Sequence, residues 1–264
     1  MGTNREDDGI EVDRIAAGVF LSKGICDERI DRQLKGISTY MKMKLEEFAA
    51  TIPPELKEHS GAVFYSGRGA FETQSSVYIL GLNPGGDPAS QADHTVERHT
   101  QRVLQSVEKD WSEYRDEVWS EGKEAGTSGM QPRVLHLLNG LGLNPGTVPA
   151  SNVVFVRSSR EKDIKKDFET YAELCWPFHK KVIDSLHINT IICLGRTAGG
   201  WVREQLEVST QIAVCVEDNK RKWRSRAYRR EDGLIIIEAT HPSIADWTAP
   251  ATDPLPMIKK VLAT

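Results

Sequence analysis

The sequence predicts an α/β fold: a three-layer α/β/α sandwich around a central, mainly parallel sheet. Three observations predict it. Short apolar runs alternate with longer stretches of helical periodicity along the chain. Several of these runs, such as Thr190-Ile191-Ile192-Cys193-Leu194, read as buried strands. Turn-forming residues follow the runs directly, as in Gly81-Leu82-Asn83-Pro84-Gly85-Gly86 and at Gly195.

Residues 1–28 are polar with scattered apolar positions and read as a partly ordered arm. Residues 29–264 read as one domain. Within 27–48, Ile30, Leu34, Ile37, Met41, Leu45 and Phe48 recur at steps of three and four, an amphipathic helix that Pro53 and Pro54 end. Residues 75–80 read as a buried strand running into the 81–86 turn. Next, Val96, Val103, Leu104, Val107, Trp111, Tyr114 and Val118 form one apolar stripe. They predict a helical insertion over about 95–130, either a lid or a helix packed at the sheet edge. A Gly- and Ser-rich loop over 121–132 and a short helix over 134–138 follow. The remaining expected strands cover 152–156, 190–194, 212–216 and 234–239, with helices over 171–186 and from 195 through Trp201.

The length suits one enlarged domain. Hydrophobic residues at 39% and charged residues at 27% suit a soluble globular protein. No apolar run approaches the roughly 20 residues of a membrane span, and the acidic stretch MGTNREDDGIEVD is no signal peptide. The expectation is a cytoplasmic monomer with no membrane contact. Cys26, Cys175, Cys193 and Cys215 form no CxxC pair, which argues against a zinc knuckle or disulfide framework. Cys193 reads as a core residue. No metal or other cofactor is expected. A formal net charge of -4 is low for a nucleic-acid binder, so any such role needs locally concentrated cations.

Three segments stand at predicted strand ends, where α/β sheets bind ligands. The first is Gly81-Leu82-Asn83-Pro84-Gly85, which by itself is only turn chemistry. A near-copy, Gly142-Leu143-Asn144-Pro145-Gly146, follows a helix and reads as a C-cap. The second runs from Ser151 and Asn152 to Arg157, and the third is His241-Pro242-Ser243.

As an ordered set these segments resemble the uracil-DNA glycosylase superfamily. The first is similar to its GINPG or GMNPG motif, Asn152 to its pyrimidine-reading asparagine, and 241–243 to its HPS motif. Cys175-Trp176-Pro177-Phe178 and residues 190–198 resemble a helix and core strand of the iron–sulfur branches. The resemblance covers about 75–245 apart from the insertion. It implies a monofunctional DNA glycosylase that flips a pyrimidine and hydrolyses its N-glycosidic bond. In that reading His241 donates to the departing base, Asn83 orients water, and Leu82, Gly85 and Asn152 hold the base. The chemistry fits these residue types. The departing base is anionic and needs a well-aimed donor, and an amide offers donor and acceptor together to a pyrimidine edge.

The family pattern also breaks. Uracil-specific relatives place Tyr after the motif's Pro, whereas Gly85 and Gly86 stand here, so the resemblance admits C5-substituted pyrimidines such as those of phage DNA. Residues 87–110 contain no Phe, Tyr or Trp to stack on the base, and His94, Trp111 and Tyr114 are the substitutes to weigh. Cys26 stands alone, so no iron–sulfur cluster is expected.

Residues 220–230 carry a dense run of Lys and Arg with interleaved aromatics, including Arg221, Trp223 and Arg224. They read as a DNA contact or a solvated hairpin tip. Arg157 and Ser243 add candidate DNA contacts. Ile244 or Trp247 would either wedge into the vacated base stack or pack within its loop. The alternatives to a glycosylase are a non-cleaving DNA or nucleotide binder of the same fold and a nucleoside hydrolase. The latter usually needs an acidic calcium site, and no Asp cluster follows the first strand. No GxGxxG follows a strand, which argues against a dinucleotide enzyme.

Overall fold

The structure, a computed structural model, describes residues 43–105 and 107–264. Its centre is one six-stranded sheet: β1 (Val77–Gly81), β2 (Ala150–Asn152), β3 (Thr190–Leu194), β4 (Thr210–Val216), β5 (Arg224–Arg229) and β6 (Ile235–Ala239). The spatial order is β2-β1-β3-β6-β5-β4. β2, β1, β3 and β6 are mutually parallel, while β5 runs antiparallel to both β6 and β4.

The helices are α1 (Leu45–Ala49), α2 (Arg68–Phe71), α3 (Val96–Gln105), α4 (Glu113–Asp116), α5 (Gln131–Gly140), α6 (Glu161–Ile164), α7 (Phe168–Leu186), α8 (Arg196–Gln205) and α9 (Leu255–Leu262). Alternate strand residues enter two separate cores. Tyr78, Leu80, Ile191, Cys193 and Ile236 join Phe178 and Val182 of α7 and Val202 of α8. Val77, Ile79, Ile192, Leu194, Ile235 and Ile237 join Val134 and Leu137 of α5 and Ile258 of α9. This period-two partition gives the three layers, and it explains why β1, β3 and β6 are buried at every position.

The order places β2 and β3 on opposite sides of β1, so the connections leaving β1 and β2 diverge there. Such a switch point opens a crevice at the carboxyl ends of the strands.

Several expectations need correction. Of the helix expected over 27–48, only the end at α1 lies among the described residues; the 1–28 arm, Cys26, Ile30, Leu34, Ile37 and Met41 lie outside them. The strand expected over 152–156 is instead β2, which ends at Asn152. Val153, Val154 and Phe155 are fully buried, but β2 is an edge strand. Beyond it Val153 N–H donates to Gly81 O and Val154 N–H to Leu82 O, both at 2.9 Å, while on the other side Ala62 N–H donates to Phe155 O at 3.0 Å and Arg157 N–H to Ser60 O at 2.8 Å. Burial between two irregular segments, without a continued ladder, produced the strand-like pattern.

The stripe from Val96 to Val118 is not one helix. After α3 the chain turns and docks on the 67–69 loop, where Gly67 N–H donates to Trp111 O at 2.7 Å and Gly69 N–H to Lys109 O at 2.6 Å. Trp111 and Tyr114 are buried, whereas Val118 is exposed. The short helices α2 and α6 escaped the sequence reading, and so did β5 and α9. β5 is so rich in arginine that its alternation is hidden, and α9 follows the last expected strand. The second Gly-Leu-Asn-Pro-Gly copy does cap a helix. Leu143 N–H donates to Leu138 O at 2.9 Å and Gly142 N–H to Asn139 O at 3.0 Å, with Gly142 at φ +71°, a Schellman motif.

Candidate active site

The carboxyl ends of β1, β2, β3 and β6 open on one edge of the sheet, and the three motifs emerge there. The first two are laced together. Beyond the two β2-loop bonds described above, Ser158 N–H donates to Pro84 O at 3.1 Å. The Asn83 amide nitrogen donates to Pro84 O at 3.1 Å, Val156 O at 3.2 Å and Ser158 Oγ at 2.8 Å. Ser158 gives its own hydroxyl proton to Arg160 O at 3.1 Å. Every one of these partners therefore accepts, which fixes the rotamer of the Asn83 amide and leaves Oδ1 as its uncommitted acceptor.

Arg157 clamps the same junction. Its guanidinium donates to Gly85 O and to Ser60 Oγ. It braces the first motif, and this commitment competes with the phosphate contact expected of it.

Asn152 pairs in register with Gly81. Its Oδ1 lies within contact distance of the place a Gly81 Cβ would occupy, so the absence of a side chain at 81 admits it. Asn152 is buried, and its Nδ2 makes no well-aligned hydrogen bond among the described residues, with the Tyr65 hydroxyl as its polar neighbour. An unsatisfied buried donor is costly and marks a position where a ligand acceptor is favourable.

His241 follows β6. Its Nδ1 accepts the Ser243 backbone N–H at 3.1 Å and lies 2.7 Å from Ser243 Oγ. Burial lowers the imidazole pKa, opposed by the nearby Glu161 carboxylate. A neutral ring with Nδ1 accepting carries its proton on Nε2. The ring rests against Gly195, where a Cβ would lie 3.2 Å from His241 Cδ2 and the backbone has φ +117°. Glycine is needed there for both reasons. The loop is held from behind by Arg133 of α5, which donates to Pro242 O and pairs with Asp246.

A cleft of about 460 Å³ joins Leu82 to His241, Ile244, Trp223 and Arg224. It lies at the β1/β3 switch point, with Leu194 and Gly195 in its wall. Asn83 and Asn152 do not line it. Asn83 turns toward Ser158, which borders a second cleft of about 330 Å³, and Asn152 is enclosed beneath the strand ends. The structure thus unites His241 with Leu82 and the basic ribbon, and the two asparagines with each other's segments.

Other expected site residues are also redistributed. Trp247 is fully buried, and its indole N–H donates to Thr240 O at 2.9 Å. It anchors the loop and cannot wedge into DNA, a correction that leaves Ile244, which is 53% exposed. Ser243 serves His241 through Nδ1. Arg221 donates to Ile244 O at 2.6 Å and pairs with Glu217 at 3.1 Å, tying the β4–β5 turn to the His241 loop. Trp111 and Tyr114 are core residues, not candidates for base stacking.

Sequence reasoning missed Arg133, Glu161, Arg196 and Arg226. Arg226 had a signal, since it belongs to the basic run; the others come from helices whose facing depends on tertiary packing. Among the described residues no group of three or more His, Cys, Asp or Glu side chains is arranged to hold a metal ion, and no helix is long and apolar enough to cross a membrane. No protein-family model matches the chain, and no curated protein matches it.

Proposed function

We propose that this chain is a DNA glycosylase acting on a flipped pyrimidine. The observation that carries the reading is the setting of His241: Nδ1 accepts from Ser243, which leaves Nε2 as the donor, on a ring that lines the cleft. In the proposed reaction the C1′–N bond breaks with both electrons leaving on the base. The Nε2–H group stabilises that developing anion, water adds to C1′, and its released proton passes to solvent or base. Such a donor is worth about 3 kcal/mol of barrier, or two to three orders of magnitude in rate.

Asn83, with an uncommitted Oδ1 acceptor, and Asn152, with a buried amide, have the residue types that water and a base edge call for, but neither lines the His241 cleft, so their roles rest on the resemblance. Gly85 is exposed and lines neither cleft, so a C5-substituted pyrimidine rests on the motif alone. Both repair and defence against phage with modified cytosine suit such a substrate.

A second reading, a nucleic-acid or nucleotide binder that does not cleave, is favoured by one observation: Asn83 and Asn152 are off the wall of the His241 cleft. Incubation with oligonucleotides carrying uracil, mismatched thymine or 5-substituted cytosine separates the two. Alkali-labile sites with release of free base support the glycosylase. Tight binding without release of any of these bases supports the binder.

A further inference from the structure

The β4–β5 ribbon carries a surface that the proposed excision chemistry does not use. β4 is the outer strand of the sheet, and Val214 and Val216 are 47% and 46% exposed on it. Across the ladder Val214 faces Arg226 and Val216 faces Arg224. Directly opposed residues share one face of a sheet, so two aliphatic and two guanidinium side chains form one continuous surface.

At its end Trp223 is 40% exposed. The Arg221 guanidinium lies 4.5 Å from the Trp223 ring centroid and is itself fixed by Glu217 and Ile244 O. The indole is thereby held in place with part of its surface open to solvent.

Two cations of this surface are unpaired: the Arg224 and Arg226 side chains make no hydrogen bond or ion pair among the described residues, whereas Arg221 pairs with Glu217 and Lys222 with Asp218. Glu238, opposite Arg226 in the ladder, is taken by Arg203 at 2.7 Å. Arg224 and Arg226 line the His241 cleft together with Arg196 and Lys222, against two carboxylates, Glu161 and Glu238, the second of them held by Arg203. In a chain of net charge -4, gathering these cations at one cleft creates a local field suited to a polyanion. A duplex keeps the faces of its bases stacked inside, whereas a single strand offers them to aromatic and apolar side chains.

We infer that the β4–β5 ribbon is a binding track for single-stranded DNA leading into the His241 cleft. Arg224 and Arg226 engage phosphates, and Trp223 stacks on an unpaired base beside the target. The identity of the target rests on the glycosylase reading; the binding itself does not.

The test is fluorescence anisotropy of the full chain with an unmodified labelled oligonucleotide of about 16 nucleotides, single-stranded and as a duplex, across a salt series. The single strand binds about tenfold tighter or more. The double variant Arg224→Gln/Arg226→Gln weakens single-strand binding about tenfold and reduces the log–log salt slope by about 1.4, since each phosphate contact contributes about 0.7. Trp223→Ala weakens it by a similar factor with the slope unchanged. Lys259→Gln/Lys260→Gln on α9 removes equal charge and leaves binding unchanged. Thermal melts establish that all variants fold.

Equal affinity for duplex, normal single-strand binding by the arginine double variant, an equal loss in the α9 variant, or self-association through β4 that excludes DNA would each overturn the inference. Single-strand binding as described, with no base released from any substrate, defeats the excision reading and leaves the track standing. Excision with normal binding by the arginine variant defeats the track alone.

Discussion

Ser243 holds His241 through one ring nitrogen: its backbone N–H lies 3.1 Å, and its hydroxyl 2.7 Å, from Nδ1. The pair fixes both the tautomer and the direction of Nε2. Ser243→Ala keeps the backbone bond and loses the hydroxyl, so on the proposed glycosylase reading base release slows about tenfold with little change in KM. His241→Ala slows it by about two to three orders of magnitude. Single-turnover kinetics at saturating enzyme measures both. Full activity in His241→Ala removes the imidazole from the reaction.

His179 makes acid stability a sensitive readout of the core behind the site. It is fully buried, its Nδ1 2.9 Å from the Tyr78 hydroxyl and its Nε2 3.2 Å from Val153 O. Burial lowers its pKa from 6.5 to about 4. The unfolded chain therefore takes up this proton near pH 6.5 while the folded chain stays neutral. Stability is complete above that pH and declines as pH falls toward 4, by about 3 kcal/mol from this group alone. Urea midpoints between pH 7 and 4 measure the slope. His179→Gln lowers stability at pH 7 and flattens the slope; an unchanged slope contradicts the assignment.

Asn83→Asp tests the amide network. A carboxylate has no proton to give Pro84 O or Val156 O, which already face the Asn83 nitrogen. The change destabilises the fold by about 2 kcal/mol or more at pH 7, and lower pH recovers part of this as the introduced acid becomes protonated. Melting temperatures at pH 7 and 5 read both effects. An enzyme that is faster and equally stable would mean that the amide nitrogen's three bonds carry no weight.

Trp247 and Ile244 separate a buried anchor from the exposed side chain to which the proposed function gives a DNA contact, within one loop. Trp247→Ala removes a fully buried indole and destabilises the protein by about 3–5 kcal/mol. Ile244→Ala leaves the melting temperature within a degree or two and lowers excision from paired DNA more than from a single strand. Thermal denaturation with parallel excision assays distinguishes them. Comparable destabilisation by both variants would place Ile244 in the packing of the loop.

The sequence was most informative where local chemistry and tertiary environment agree. Residues 190–194 form β3 with the bounds expected, because a run buried on both faces looks the same in sequence and in the sheet. The motifs at 81–85, 152 and 241–243 fall at strand ends as their turn chemistry implied. The sequence misled where pattern and pairing part company. Val153, Val154 and Phe155 are fully buried, and their backbone bonds go to irregular segments on either side and not to a strand ladder. The stripe from Val96 to Val118 repeats like a helix, but its second half is held by the 67–69 loop.

By itself, then, the sequence determined the α/β class, the parallel core strands and the positions of the three loops, since periodicity and turn chemistry are local properties. Only the tertiary structure decided that Trp247 is an anchor, that Ser243 fixes the His241 tautomer, and that Arg224 and Arg226 stand unpaired beside that imidazole. The physical reason is that partnership and exposure depend on residues far away in the chain: Glu238 stands opposite Arg226 in the ladder, but it is Arg203, on the helix packed over that face, that pairs with it.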